Sequence, residues 1–356
     1  MTQAARGFGR LRRRRAGATV ALGGAGYIAV VHALAAQSAG MRVTAVASNG
    51  GSSARHLAGE LDARRCRPDD LPAGADVLVV ATPPDHHVDL ALQGLAAGAS
   101  VLVEKPLAPT LADADRLIDA ARRTEQAGTP VRIRCAENLV HAPFWRATLE
   151  RRPSLGTLGH LSLRTRQPPP DWGHFGRPLD AGGVLFDLGP HPIALALGLA
   201  DEPVVGVSAR LTSTRDDGAD DDASLRIRFV SGLVADLDVS WTADTPQWDA
   251  QAASDLGVLR IELLPEVLLE HDGEPVALPS RYEVADPRLE QFGYVDQLLD
   301  LTSGAADRGQ DLDAARTVLE VICAAYRSAG LDGAEVTVPF TGDRTATPME
   351  LWRRRS

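Results

Sequence analysis

From residue 18 to residue 136 the chain alternates two rhythms. Short apolar, β-branched runs fall at 18–23 (ATVALG), 42–47 (RVTAVA), 76–82 (DVLVVAT), 100–105 (SVLVEK) and 131–136 (VRIRCA). Between them, at 29–37, 54–65, 87–98 and 111–126, apolar positions recur every three or four residues. The first rhythm predicts strands and the second helices. Strands joined by helix-length crossovers make βαβ units, so this half predicts a doubly wound parallel sheet buried on both faces. Past residue 155 the runs lengthen and alternate: HLSLRTR (160–166), VVGVSARL (204–211), SLRIRFV (224–230), GLVADLDVSW (232–241) and GVLRIELL (257–264). That alternation predicts a large, mostly antiparallel sheet with one solvated face. The acidic stretch RDDGADDDAS (215–224) reads as a solvated hairpin tip with no metal, since charge runs mostly face water. Helical periodicity returns at 287–304 and 312–330.

A length of 356 residues exceeds one ordinary core and divides into two domains. The change of rhythm sets them at 17–136 (α/β) and 137–356 (α+β), behind a disordered basic tail over 1–16. That tail resembles the start of an export signal, but Gly23, Gly24, Gly26 and His32 interrupt the apolar run after it. The run is therefore read as a first strand and helix. Hydrophobic content of 44% and charged content of 24% are globular values, and a net charge of -10 excludes a nucleic-acid partner. Neither pattern nor charge calls for a membrane partner. Cys66, Cys135 and Cys323 form no CxxC pair, which fits a reducing, cytoplasmic setting and neither disulfides nor zinc.

Between the first strand and first helix, GGAGYIA matches G-x-G-x-x-G/A at Gly24, Gly26 and Ala29. The first glycine allows a tight turn, the second lets backbone approach a pyrophosphate, and the alanine lets helix pack on strand. Opening a βαβ unit, this motif makes the N-terminal half a Rossmann domain. Gly24, Gly26, Tyr27 and Ile28 then line the dinucleotide. An acidic residue after the second strand would hold the ribose hydroxyl of NAD. Ser48 and Asn49 stand there instead, with Arg55 close behind, so a 2′-phosphate is acceptable and NADP is expected ahead of NAD.

The fourth strand ends in Glu104-Lys105-Pro106, and Lys105 is the single lysine among 37 basic side chains. Ligands of an open parallel sheet sit beyond its carboxyl strand ends, which puts Lys105 beside the nicotinamide half of the cofactor. Downstream, AGGVLFDLGPHPIALALGL holds Asp187 and His191 four apart, one face of a helix, with Pro190 and Pro192 suited to its first turn. The stretch DVLVVATPPDHHVDLALQGLAAGASVLVEKPLAPTLADADRL, together with this second segment, resembles the glucose-fructose oxidoreductase / inositol dehydrogenase (Gfo/Idh/MocA) family.

The resemblance runs from about residue 17 to 340 and implies a catalytic set of Lys105, Asp187 and His191. It also implies that Thr82, Pro83, His87, Glu104 and Lys105 line the cofactor, and that the open face of the second sheet makes a homodimer or homotetramer. The expected activity is NAD(P)-dependent transfer of hydride at a hydroxyl carbon of a sugar, cyclitol or small polyol. Two alternatives share the same residues: a redox-assisted glycosidase or lyase that recycles its cofactor, and a non-catalytic NAD(P)-binding regulator. Asn138, Trp172 and His174 are candidate substrate contacts beside the catalytic three. The chain departs from the family at Ala194, where an aspartate is frequent, and at Leu139-Val140, where a tyrosine-arginine pair is frequent.

Overall fold

The computed structural model describes residues 17–48, 52–128, 131–171, 179–284, 286–303 and 312–354. Two compact units emerge. Met1–Ala108, Ala114–Ala142 and Ser280–Asp313 form the first; Pro109–Asp113, Pro143–Pro279 and Ala314–Ser356 form the second.

The first unit is built on strands β1 (Thr19–Gly23), β2 (Arg42–Ala47), β3 (Arg64–Cys66), β4 (Val77–Val80), β5 (Ser100–Glu104) and β6 (Ile133–Ala136). They form one sheet in the order β3-β2-β1-β4-β5-β6, and every pairing is parallel. The crossovers carry α1 (Tyr27–Ser38), α2 (Ser52–Glu60), α3 (His87–Ala96) and α4 (Leu111–Gln126). Val20, Leu22, Val79 and Leu102 are wholly buried, as strands covered on both faces require.

β3 lies where periodicity extends a helix to residue 65. The helix stops because Asp62 turns left-handed (φ 51°) and the Ala63 N–H closes onto the Ala58 carbonyl at 2.9 Å. Glycine usually marks such a stop, and an aspartate there hides it. Helices α8 (Arg288–Gln291) and α9 (Tyr294–Ser303) belong to this unit as well. Leu289, Val295, Leu298 and Leu301 join Ala29, Ala33 and Ala36 of α1 in one core cluster.

His87, 1% exposed at the start of α3, ties two strand ends together. Its Nε2 lies 2.9 Å from the Thr82 carbonyl after β4, and its Nδ1 2.9 Å from the Pro106 carbonyl after β5. Burial pushes the imidazole below its ordinary 6.5, against the opposing pull of both carbonyls and Glu104. A neutral ring donates to only one of the two carbonyls at a time, and a protonated ring would satisfy both.

The second unit contains α5 (Pro143–Arg151), α6 (Val184–Asp187), α7 (Pro190–Ala200), α10 (Leu312–Gly330, whose first two residues belong to the first unit) and α11 (Pro348–Arg353). Its sheet uses β7 (His160–Arg166), β8 (Val204–Thr212), β9 (Asp222–Phe229), β10 (Val234–Ser240), β11 (Gln247–Ser254), β12 (Gly257–Leu264), β13 (Leu268–His271), β14 (Glu274–Pro275) and β15 (Val336–Thr337). The order is β14-β13-β12-β11-β7-β10-β9-β8-β15, antiparallel except where β10 runs parallel to β7. One face buries Leu161, Leu163, Leu225, Ile227 and Leu237. The other carries cross-strand ion pairs: Arg164–Asp249 at 2.9 Å, Arg226–Asp236 at 2.8 Å and Arg228–Glu335 at 2.6 Å.

The acidic stretch at 215–224 is not a solvated tip. Asp220 is fully buried and Asp221 is 5% exposed. The Asp220 carboxylate accepts the N–H groups of Gly183 and Leu185, each at 2.8 Å, and the Tyr326 hydroxyl; its backbone carbonyl accepts the Val184 N–H at 2.8 Å. It therefore serves the open donors at the start of α6 from a distant loop, in place of a local cap. The approach is close enough that a Cβ on Gly183 would sit 1.9 Å from the Asp220 carbonyl oxygen. Net charge along the loop says nothing of this, because the burial depends on backbone donors supplied 35 residues away.

Two predictions follow from these two units. Asp220→Ala strands several buried donors, which cost roughly 1–3 kcal/mol each when unpaired. It should destabilise the second unit by about 3 kcal/mol or more in urea titrations followed by tryptophan fluorescence, since the described tryptophans, Trp145, Trp241, Trp248 and Trp352, belong to that unit. His87 has a depressed folded pKa, so the stability it contributes is complete above 6.5 and is drawn down as pH falls from there toward the folded value. Between about pH 7 and about pH 5 the wild type should lose more of its melting temperature than His87→Gln does.

Candidate dinucleotide and substrate site

The glycine turn sits where the strand order reverses, at the carboxyl ends of β1 and β4. Gly24 has φ +123°, and a Cβ there would lie 2.2 Å from the Ala81 carbonyl oxygen, so only glycine fits. Gly26 is different. It caps α1, and a Cβ on it would meet nothing within 4 Å. The first turn of α1 has no side-chain cap and no acidic residue, which leaves a helix start with a favourable dipole for phosphate. Tyr27, 54% exposed, and the half-buried Ile28 follow directly. Beyond β4 the Thr82 hydroxyl is buried with no hydrogen-bond partner among the described residues, next to exposed Pro83. A buried hydroxyl without a partner among the described residues, beside an uncapped helix start, fits a bound dinucleotide. Ser48 follows β2 and is half-buried, and Arg55 is exposed on α2; Asn49 lies outside the described residues.

Lys105 leaves the carboxyl end of β5, on the same sheet edge as the glycine turn and Thr82, and is half-buried. Its backbone N–H donates to the Glu104 carboxylate at 3.1 Å. The other Glu104 oxygen lies 2.7 Å from Nε2 of His32 on α1. Burial alone would push the Glu104 carboxyl up; the His32 hydrogen bond and charge, with Lys105, outweigh it and hold the group below its ordinary 4.5. Sequence reading passed over His32 as an interruption of an apolar run. Its signal is a titratable side chain on the helix face that packs inward. Asn138 is 4% exposed in a short 3₁₀ turn after β6, and its amide donates to the Phe292 carbonyl at 2.7 Å. That bond anchors the loop before α9. His141, in the same turn, pairs with Asp300 at 2.7 Å.

In the second unit, Asp187 ends α6 and His191 lies in the first turn of α7, so the two do not share one helix. Leu188 and Gly189 separate them, and Pro190 opens α7 where its missing N–H costs nothing. The turn keeps them close in sequence and direction: the Leu188 N–H bonds to Val184 at 2.8 Å and the His191 N–H to Leu188 at 3.2 Å. His191 is 7% exposed, and its ring faces Trp248 with centroids 5.5 Å apart and planes at 38°. Trp248 pairs with Thr165 in the sheet register and stands on the covered face, an aromatic wall beside the histidine that alternation along β11 did not single out. Trp172 and His174 lie outside the described residues.

Comparison with known proteins agrees with this arrangement. Residues 18–129 match the Gfo/Idh/MocA oxidoreductase family, NAD-binding Rossmann fold, and residues 149–260 match the Gfo/Idh/MocA C-terminal domain. The 1,5-anhydro-D-fructose reductase of Ensifer adhaerens is 30% identical over 171 residues, 47% of this chain and 51% of that protein. The inositol 2-dehydrogenase of Rhizobium meliloti is 28% identical over 223 residues, 60% of this chain and 65% of that protein. The chain thus spans about half of the first relative and just under two thirds of the second. GenD2 from gentamicin A biosynthesis, solved in complex with NAD, superposes with a TM-score of 0.77 at 26% identity, over 93% of this chain and 99% of GenD2. Among the described residues no helix is long and apolar enough to cross a membrane. Glycine turn, lysine-bearing strand end and family matches at both halves make the chain a member of the Gfo/Idh/MocA family of NAD-binding oxidoreductases.

Proposed function

We propose that the chain is an NAD(P)-dependent oxidoreductase transferring hydride at a hydroxyl carbon of a sugar, cyclitol or similar small polyol. The observation that carries this reading is Lys105, emerging at the sheet edge that also presents the uncapped amides of α1 and the unpartnered Thr82 hydroxyl. The relatives act, by their names, on an anhydro sugar and on inositol. The chemistry a bound nicotinamide supplies is acceptance or donation of a hydride.

The residues of the chain handle the proton and the charge. Oxidising a secondary alcohol releases one proton with the hydride, and His191 takes it at an imidazole nitrogen, the side-chain base most used for such proton transfers. Asp187, one turn earlier, orients that base. Lys105 Nζ hydrogen-bonds the reacting oxygen and stabilises negative charge as it develops. Trp248, against the His191 ring, offers an apolar face to the carbon-bound hydrogens of a ring substrate. The end of β2 carries no carboxylate in its described part, and Ser48 with Arg55 favours NADP over NAD. Copies of the chain assemble through the open, charge-paired face of the second sheet into a homodimer or homotetramer, and the free cysteines suit a cytoplasmic setting.

The test is titration with NADPH and NADH by nicotinamide fluorescence, then turnover with myo-inositol, D-glucose and 1,5-anhydro-D-fructose. Saturable binding and a change in nicotinamide absorbance with one of them are expected; binding with no redox change across the panel would sink the enzymatic reading. Lys105→Arg should lower kcat/KM by about 3 kcal/mol of transition-state stabilisation while NADPH affinity holds. Ser48→Asp should turn cofactor preference toward NAD, read as the ratio of the two dissociation constants.

A further inference from the structure

We propose that His32 is a positioning residue for Lys105, acting through the carboxylate of Glu104. The histidine is wholly buried on α1. Its Nδ1 has no hydrogen-bond partner among the described residues, and its ring otherwise meets Tyr294 edge-on at 5.9 Å between centroids. Packing alone does not call for a histidine here, since an apolar side chain would fill the space without an orphaned ring nitrogen. Among the described residues its one polar contact is Nε2 to Glu104 at 2.7 Å.

Glu104 is 6% exposed and ionised, so it can only accept, and the proton between the two groups sits on His32 Nε2. With one carboxylate oxygen fixed by the ring, the other is aimed at the Lys105 N–H at 3.1 Å. The amide plane between 104 and 105 is thereby set, and with it the direction in which the lysine side chain leaves the strand. His87 holds the far side through the Pro106 carbonyl at 2.9 Å. Two buried histidines, from α1 and α3, thus fix the backbone on either side of the chain's single lysine. The consequence for turnover rests on the reading of Lys105 given above; the structural coupling does not.

Because Lys105 is the only lysine, full-length protein labelled with [15N]lysine gives one backbone amide cross-peak. His32→Leu and Glu104→Gln should each displace that peak. His32→Gln, which keeps a donor at the position of Nε2, should leave it near its wild-type place. In His32→Leu, kcat with the best compound of the panel should fall about tenfold or more while the NADPH dissociation constant stays within about twofold, because the fault is one of aim. His32→Gln should recover most of that loss. An unmoved peak in both His32→Leu and Glu104→Gln would overturn the coupling, and a moved peak with unchanged kcat would overturn the positioning role. If His32→Leu does not fold, Glu104→Gln against His32→Gln decides the matter. Wild-type turnover in Lys105→Ala would remove the lysine from the reaction, yet a displaced peak in His32→Leu would still uphold the coupling.

Discussion

Where Gly24 passes the end of β4, a Cβ would lie 2.2 Å from the Ala81 carbonyl oxygen, and no side chain other than hydrogen can stand there. That contact fixes the turn, the turn fixes where α1 begins, and α1 starts without a side-chain cap behind Gly26, where a Cβ would meet nothing within 4 Å. The Gly24 N–H bonds to Ala47 at 2.8 Å and the Ala81 N–H to Gly23 at 2.7 Å, so the turn is stitched to strands on both sides. The second unit repeats the device with different parts. Gly183 passes the Asp220 carbonyl at a distance that forbids a Cβ, and the segment carrying Asp187 and His191 starts from that contact. In both units the chemistry-bearing segment is hung from a backbone contact rather than from the packing of large side chains. Such contacts tolerate little: a methyl group would have to move backbone, and backbone here is held from both directions.

How much of this the amino-acid order discloses follows from the range of each interaction. The parallel sheet was legible because its central strands are buried on both faces and read as unbroken apolar runs; five of its six strands start and end within two residues of the runs seen in sequence. β3 was not, because an aspartate rather than a glycine takes the left-handed position that ends α2. The antiparallel sheet was legible wherever one face meets water. β11, with QWDAQAAS, was missed because small alanines mark its buried face instead of the branched residues that alternation relies on. The acidic loop misled for a different reason: a buried carboxylate is explained only by the donors that reach it, and those come from another part of the chain. Gly24, Gly26 and Lys105 were readable because local spacing and strand ends define them. His32 and Trp248 were not, since each matters through a neighbour that only the fold supplies.

The charged groups of the two units are handled differently, and the contrast says where precision is needed. Across the open face of the second sheet, Arg164, Arg226 and Arg228 meet carboxylates while partly exposed to water. Pairs of that kind add little stability each and set register and solubility more than energy. The pair between His32 and Glu104 is buried, with side chains 0% and 7% exposed. Taking such groups out of water is costly, and an apolar pair would pack the same space at less cost. A chain that retains the polar pair gains direction from it: a carboxylate whose two oxygens have separate, fixed partners has one orientation.

That direction explains why the position after Glu104 carries a lysine in a chain whose other 36 basic side chains are arginine. On the sheet face an arginine is the better residue, since its planar fork reaches two carboxylate oxygens at once and its charge never changes. At the end of β5 those properties work against function. The flanking backbone is held on one side through Glu104 and on the other through Pro106 and His87. A guanidinium there would present five donors in a rigid plane and a charge that never changes. A primary ammonium is compact, carries its three donors on one atom at the tip of a flexible stem, and can give a single hydrogen bond to an oxygen whose charge changes during reaction. Fixing the backbone lets a flexible residue act at a defined point. On the proposed reading, the buried His32–Glu104 pair and the lone lysine are two halves of one constraint: the pair sets the direction and the lysine uses it.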